Sequence, residues 1–181
     1  MTLATLSLFD VKSDSLSLGK FDFVKEVEKD RSMTYKKFEL DGKPFFVSFK
    51  ATLTSDSIIV GNFDGTPNFS LPVQISEHED IELFDQLNTQ LLKKVPGDEQ
   101  WTLSHTLKED NRLFLKIKVG DKKSLTPKVQ SNIPINLKKP LDTKIYQGQD
   151  VVVTGQLGFY YNFDDKMCGT SFTLTGLDFK E

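Results

Sequence analysis

The sequence predicts a mainly β protein, an OB-like Greek-key barrel or a β-sandwich with one inserted α-helix. Three observations carry that expectation. Apolar residues recur with period two along most of the chain, turn clusters separate those runs, and one central stretch switches to helical spacing. The length of 181 residues suits a single β-rich domain, residues 1–181.

The alternation starts at Phe21, Phe23 and Lys25 and continues in the same style from Tyr35 to Leu40. Phe45 to Leu53 is rich in strand formers and follows the turn cluster Asp41-Gly42-Lys43-Pro44. Residues 57–63 and 68–75 flank Asp64-Gly65-Thr66-Pro67 as a hairpin. A helix is predicted over about 77–95. Ser76 and Glu79 fit a capping box, and Ile81, Phe84, Leu87 and Leu91 recur on one face. Acidic residues at its start and Lys93 and Lys94 at its end suit the helix dipole, and Val95-Pro96-Gly97-Asp98 stops it. Leu113 to Val119 reads as a strand ending at Gly120-Asp121. A final hairpin spans about 150–179. Alternation puts Val151, Val153, Leu157, Phe159, Tyr161 and Phe163 on its core face, with Gly169 near its turn.

Several functional classes fall away. No run approaches the ~18 apolar residues of a membrane span, and the N-terminal residues lack the pattern of a signal peptide. Cys168 is a lone cysteine, so no internal disulfide or cysteine-based zinc site is expected. His78 and His105 are too few for a recognisable metal site. No nucleophile motif, phosphate-cradling glycine loop or dinucleotide fingerprint is present. The expectation is a non-enzymatic protein without cofactor or metal, inside the cell.

Charge carries more information than its total of -3. Residues 51–111 hold 3 basic and 11 acidic side chains, whereas residues 112–144 hold 9 basic and 2 acidic ones. In the basic block, Lys116 and Lys118 share one strand face while Leu113, Leu115, Ile117 and Val119 share the other. Arg112, Lys122, Lys123 and Lys128 extend the same block. A ridge of lysines on a sheet is one way to hold a phosphate backbone, although such runs are commonly solvated surface.

Aromatic residues adjoin the ridge. The chain has 15 Phe, 4 Tyr and 1 Trp, most of them suited to core strands. Phe114 belongs to the lysine face by parity, and Tyr160 and Asn162 share the outer face of the last hairpin as candidate base contacts. Rings beside lysines suit sequence-tolerant binding of single strands, because every base has a flat face to stack. Core packing is the commoner fate of any one ring, and Tyr35, Phe45 and Trp101 are weaker candidates.

The segments Gly148 to Thr154, Gly158-Phe159-Tyr160-Tyr161-Asn162 and Gly169 to Leu174 resemble the last hairpin of single-stranded DNA-binding proteins of short-tailed phages. More closely, they resemble the counterparts proposed in nucleocytoplasmic large DNA viruses, over about residues 40–179. That resemblance implies an OB-type barrel with a helix between its third and fourth strands. It also implies single-stranded DNA as ligand, replication proteins as partners, and a place in viral DNA replication, recombination or repair, in the host nucleus or a cytoplasmic replication site. The ending Leu177-Asp178-Phe179-Lys180-Glu181 departs from the long acidic tail of the phage proteins, which argues against tail-mediated recruitment.

A second resemblance is to anti-silencing-type histone chaperones, which are immunoglobulin-like sandwiches. It rests on Leu6 to Val11, on Phe21-Asp22-Phe23, and on Gly158 to Asn162. It implies a histone H3-binding module that acts on host chromatin. The acidic 51–111 segment would then face the basic partner.

Overall fold

A computed structural model describes residues 5–7, 11, 16–18, 33–63, 65–95, 100–104, 107–121 and 123–180. The alternating strand at Phe21 to Lys25, the helix stop at Pro96 to Asp98, His105 and Lys122 lie outside the described residues.

Period-two runs become short strands first: β1 Thr5–Ser7, β2 Leu16–Ser17, β3 Met33–Lys37 and β4 Glu39–Leu40. Then follow β5 Phe46–Leu53, β6 Ile59–Phe63, β7 Thr66–Gln74 and the helix α1 His78–Lys94. After the helix come β8 Thr102–Ser104, β9 Leu107–Lys108, β10 Arg112–Ile117, β11 Val119–Asp121, β12 Thr126–Pro127 and β13 Gln130–Ser131. Two long strands finish the chain, β14 Asp150–Asn162 and β15 Met167–Phe179.

Five of these strands form a ring. β5 pairs with β7, β7 with β10, β10 with β15, β15 with β14, and β14 returns to β5. Numbered along the chain, the ring order is 1-2-3-5-4, with the third and fifth strands parallel and every other contact antiparallel. That is the arrangement of an OB-like Greek-key barrel. It is partly open, because β5–β7 is joined only through Thr52↔Gln74 and Leu53↔Val73, and β10–β15 through Lys116↔Thr173 and Ile117↔Leu174. Other strands extend the ring into a mixed sheet of 11 strands among the described residues.

Inward-facing side chains fill the ring. Leu113, Leu115, Val153, Leu157, Phe159 and Leu174 are fully buried, each contributing about 1.5–3 kcal/mol on leaving water. Phe49 and Phe172 meet edge to face at 5.3 Å, as do Phe38 and Phe159 at 5.2 Å.

On β15 the inward positions are odd at Leu177 and Phe179 but even at Cys168, Thr170, Phe172 and Leu174. The cause is a bulge. Thr154 pairs with Gly176 and the next residue, Gly155, with Leu174, so Thr175 is the extra residue. Without it, half of β15 would turn its apolar side chains to solvent.

The helix lies against β15, burying Leu83, Phe84, Leu87 and Leu91, with Ile81 half-buried. Its predicted cap is corrected. The N-cap is Glu77 and no side chain caps it, so Ser76 and Glu79 form no capping box. Its other end is tied to the sheet instead, because the buried Tyr161 hydroxyl donates to the Leu91 carbonyl in the last turn at 2.7 Å. The helix connects the second and third ring strands, not the third and fourth as the phage resemblance implies. The strand expected over Leu113 to Val119 ends at Ile117, and Val119 opens β11. Among the described residues no helix is long and apolar enough to cross a membrane.

Candidate nucleic-acid interface

The outer face of the ring carries an open groove of about 440 Å³, within the roughly 300–1,000 Å³ of ligand clefts. Its walls come from β3, β7, β10 and the β14–β15 hairpin. Five residues that the sequence singles out converge there: Phe114, Lys116, Tyr160 and Asn162, with Tyr35 of the weaker candidates. Parity brings the first two together, since Leu113, Leu115 and Ile117 are buried and the even positions of β10 must point outward. Ser70 of β7 stands directly across from Lys116.

Tyr160 is placed by a glycine. Gly169 pairs with Tyr160 across the hairpin, and a Cβ on Gly169 would lie 2.9 Å from the Tyr160 hydroxyl and 2.8 Å from the Ser104 carbonyl. The tyrosine therefore lies against bare backbone. Gly169 is the third residue of β15, near the turn as expected.

Tyr35 enters from β3, where it pairs directly with Tyr160. The two ring centroids are 5.9 Å apart at 42°, and Tyr35 remains 54% exposed. The Lys116 ammonium lies 4.8 Å from the centre of the Tyr35 ring, a cation–π contact. Burial and the nearby Tyr160 raise the Tyr35 pKa, so its phenol stays neutral.

Three lysines crowd this face. Partial burial, and secondarily the Lys118 charge, lowers the pKa of Lys116 and that of Lys37 below the ordinary lysine value. Lys37 also donates to the Gln156 side-chain oxygen. Desolvation is the larger cause of both shifts and the like charge of Lys118 adds to it, while among the described residues no carboxylate contributes to either. A group of mutually repelling ammonium ions gains most from a polyanion.

The remaining predicted residues divide. Lys118 follows β10 on the same exposed face. Arg112, at the other end of β10, turns its Nε to the Glu109 carbonyl at 3.3 Å. Lys123 sits in the β11–β12 hairpin, and Lys128 lines a separate groove. Asn162 lines the first groove, but its side chain holds the hairpin turn. Its Oδ1 accepts from the Asp164 and Asp165 backbone N–H groups, and its Nδ2 donates to the Asp165 carboxylate at 3.0 Å. It is a turn former rather than a free base contact.

Of the weaker candidates, Phe45 is core and Trp101 packs edge to face on Tyr161 and Phe163. Tyr35 is the residue that reading the sequence underrated. Its pairing with Tyr160 spans most of the chain, and no local pattern announces it. Among the described residues no three His, Cys, Asp or Glu side chains are grouped as metal ligands. No protein-family model, no curated protein and no solved structure matches the chain.

Proposed function

We propose that this groove binds single-stranded nucleic acid, with single-stranded DNA as the ligand, largely without regard to sequence. The observation that carries the reading is the convergence of Tyr35, Tyr160 and Phe114 with Lys116, Lys37 and Lys118 on one open face. The second and third strands of the ring supply part of that face, which is where OB-like barrels take oligonucleotides. In this mechanism the ammonium groups meet phosphates while bases stack on the exposed rings, each stack supplying about 1–3 kcal/mol. The setting is viral DNA replication, recombination or repair, as the phage-type resemblance implies.

A titration of fluorescently labelled oligo-dT at low salt tests this. The wild-type chain is expected to bind, and Lys116→Glu with Lys118→Glu to bind at least tenfold more weakly, on the order of one or two lost phosphate contacts. Exchange of Glu79 on α1 is expected to change nothing. No binding by the wild-type chain overturns the reading.

The histone-binding alternative draws on Glu77, Glu79, Glu82 and Asp85, which are exposed on α1. None of them lines the groove. A pull-down with core histones and labelled single-stranded DNA side by side separates the two, since each reading expects capture of one ligand and not the other.

A further inference from the structure

A second groove, of about 1000 Å³, opens farther along the same strands and is lined by Lys128, Gln130, Thr154, Thr175 and Asp178, among others. Its origin is the bulge. β10 leaves the edge of β15 after Leu174, and β13 joins that edge at Gly176. Thr175 falls between them, the extra residue with no ladder partner on either side.

The two grooves share one face of β15. Ser171 lines the first and Thr175 the second, with Thr173 between them. At about 3.3 Å per residue, that separation is about 13 Å. The interval is basic. Thr173 is in register with Lys116, Lys118 is close enough to lower the pKa of both Lys116 and Lys37, and the Lys128 backbone N–H donates to the Lys118 carbonyl at 2.9 Å. Lys118 therefore stands between Lys116 of the first groove and Lys128 of the second. Asp178, exposed at the far side of the second groove, opposes a phosphate there and sets the limit of the track.

We infer that the second groove holds the sugar–phosphate backbone of the same strand whose bases occupy the first, so that the ligand runs along β15 from Tyr160 past Lys116 and Lys118 to Lys128. This rests on the function proposed above and adds a path and a length requirement to it. The first groove is the aromatic part of the site. The second offers the Lys128 ammonium with hydroxyl and amide groups, beside apolar residues and the Asp178 carboxylate at its limit.

The experiment compares oligo-dT of about 4 and about 16 nucleotides, the limits of occupancy for one OB-like unit. Lys128→Glu is expected to weaken the long oligonucleotide about tenfold and to lower its salt slope by about 0.7, one phosphate on a single strand. It is expected to leave the short one unchanged. Asp178→Asn is expected to strengthen only the long one. If wild type binds both and Lys128→Glu affects neither, or both equally, the path is overturned while the first groove stands. If wild type binds neither, both readings fall together.

Discussion

Tyr160 and Tyr161 are neighbours in β14 with opposite fates. Tyr161 points inward, is fully buried, donates to the Leu91 carbonyl, and has its pKa raised by desolvation. Tyr160 points outward, lies on the bare backbone of Gly169, and meets Tyr35 at the rim of the groove. The same side chain is a bolt between sheet and helix on one face and, in the function proposed, a stacking surface on the other. Strand parity makes that choice, and the partners that topology supplies give each position its chemistry.

The strongest way to break the comparison is to remove the inner ring. Tyr161→Ala is expected to cost about 3–5 kcal/mol of stability, the range for emptying a large aromatic site, as measured by urea denaturation. Tyr161→Phe keeps the volume and removes the hydrogen bond to the Leu91 carbonyl, for an expected loss of about 0.5–1.5 kcal/mol. In either variant the protein that remains folded is expected to keep its oligonucleotide affinity. A loss of affinity in folded Tyr161→Phe would erase the distinction between the two faces.

A smaller effect sharpens the inner side. Asp80, in the first turn of α1, is buried with one carboxylate oxygen lacking a partner among the described residues. Desolvation, with the Glu77 and Glu79 charges adding to it, pushes its pKa up to about 6. An unfolded aspartate titrates near 3.9, so between about pH 4 and 6 the folded state holds the extra proton. Stability therefore falls as pH rises through that window, and the penalty is complete above it. Asp80→Asn is expected to raise stability by about 1–2 kcal/mol near pH 8, after allowance for solvent screening, and to give no gain near pH 4. Melting curves at the two pH values check it.

Much of the fold was legible because it is local. The helix follows from Phe84, Leu87 and Leu91, the last hairpin from the alternation of Val151 to Tyr161, and the outward Lys116 from its buried neighbours. What escaped was non-local or turned on one residue. Thr175 reverses the parity of β15, and although Gly176 in Thr173-Leu174-Thr175-Gly176 is compatible with a bulge, it equally marks a close backbone approach and does not say which residue is the extra one. Tyr35 gains its place from Tyr160 and Lys116, both far along the chain. Asn162 could have been assigned to the turn, since the Asn of Asn162-Phe163-Asp164-Asp165 is the residue type that binds the backbone two residues on. Ser76 failed as a cap because the helix begins one residue later, after Glu77.

The central claim is that the outer face divides its work, lysine meeting phosphate and tyrosine meeting base. Salt separates these roles, because counterion release depends on charge and stacking does not. The decisive measurement is oligo-dT affinity between about 50 and 200 mM salt for the wild type, Tyr160→Ala and Lys116→Ala. Tyr160→Ala is expected to lower affinity by a similar factor at every salt concentration and leave the slope intact, whereas Lys116→Ala is expected to reduce the slope by about 0.7. Equal slopes and equal affinities in all three proteins would contradict the account.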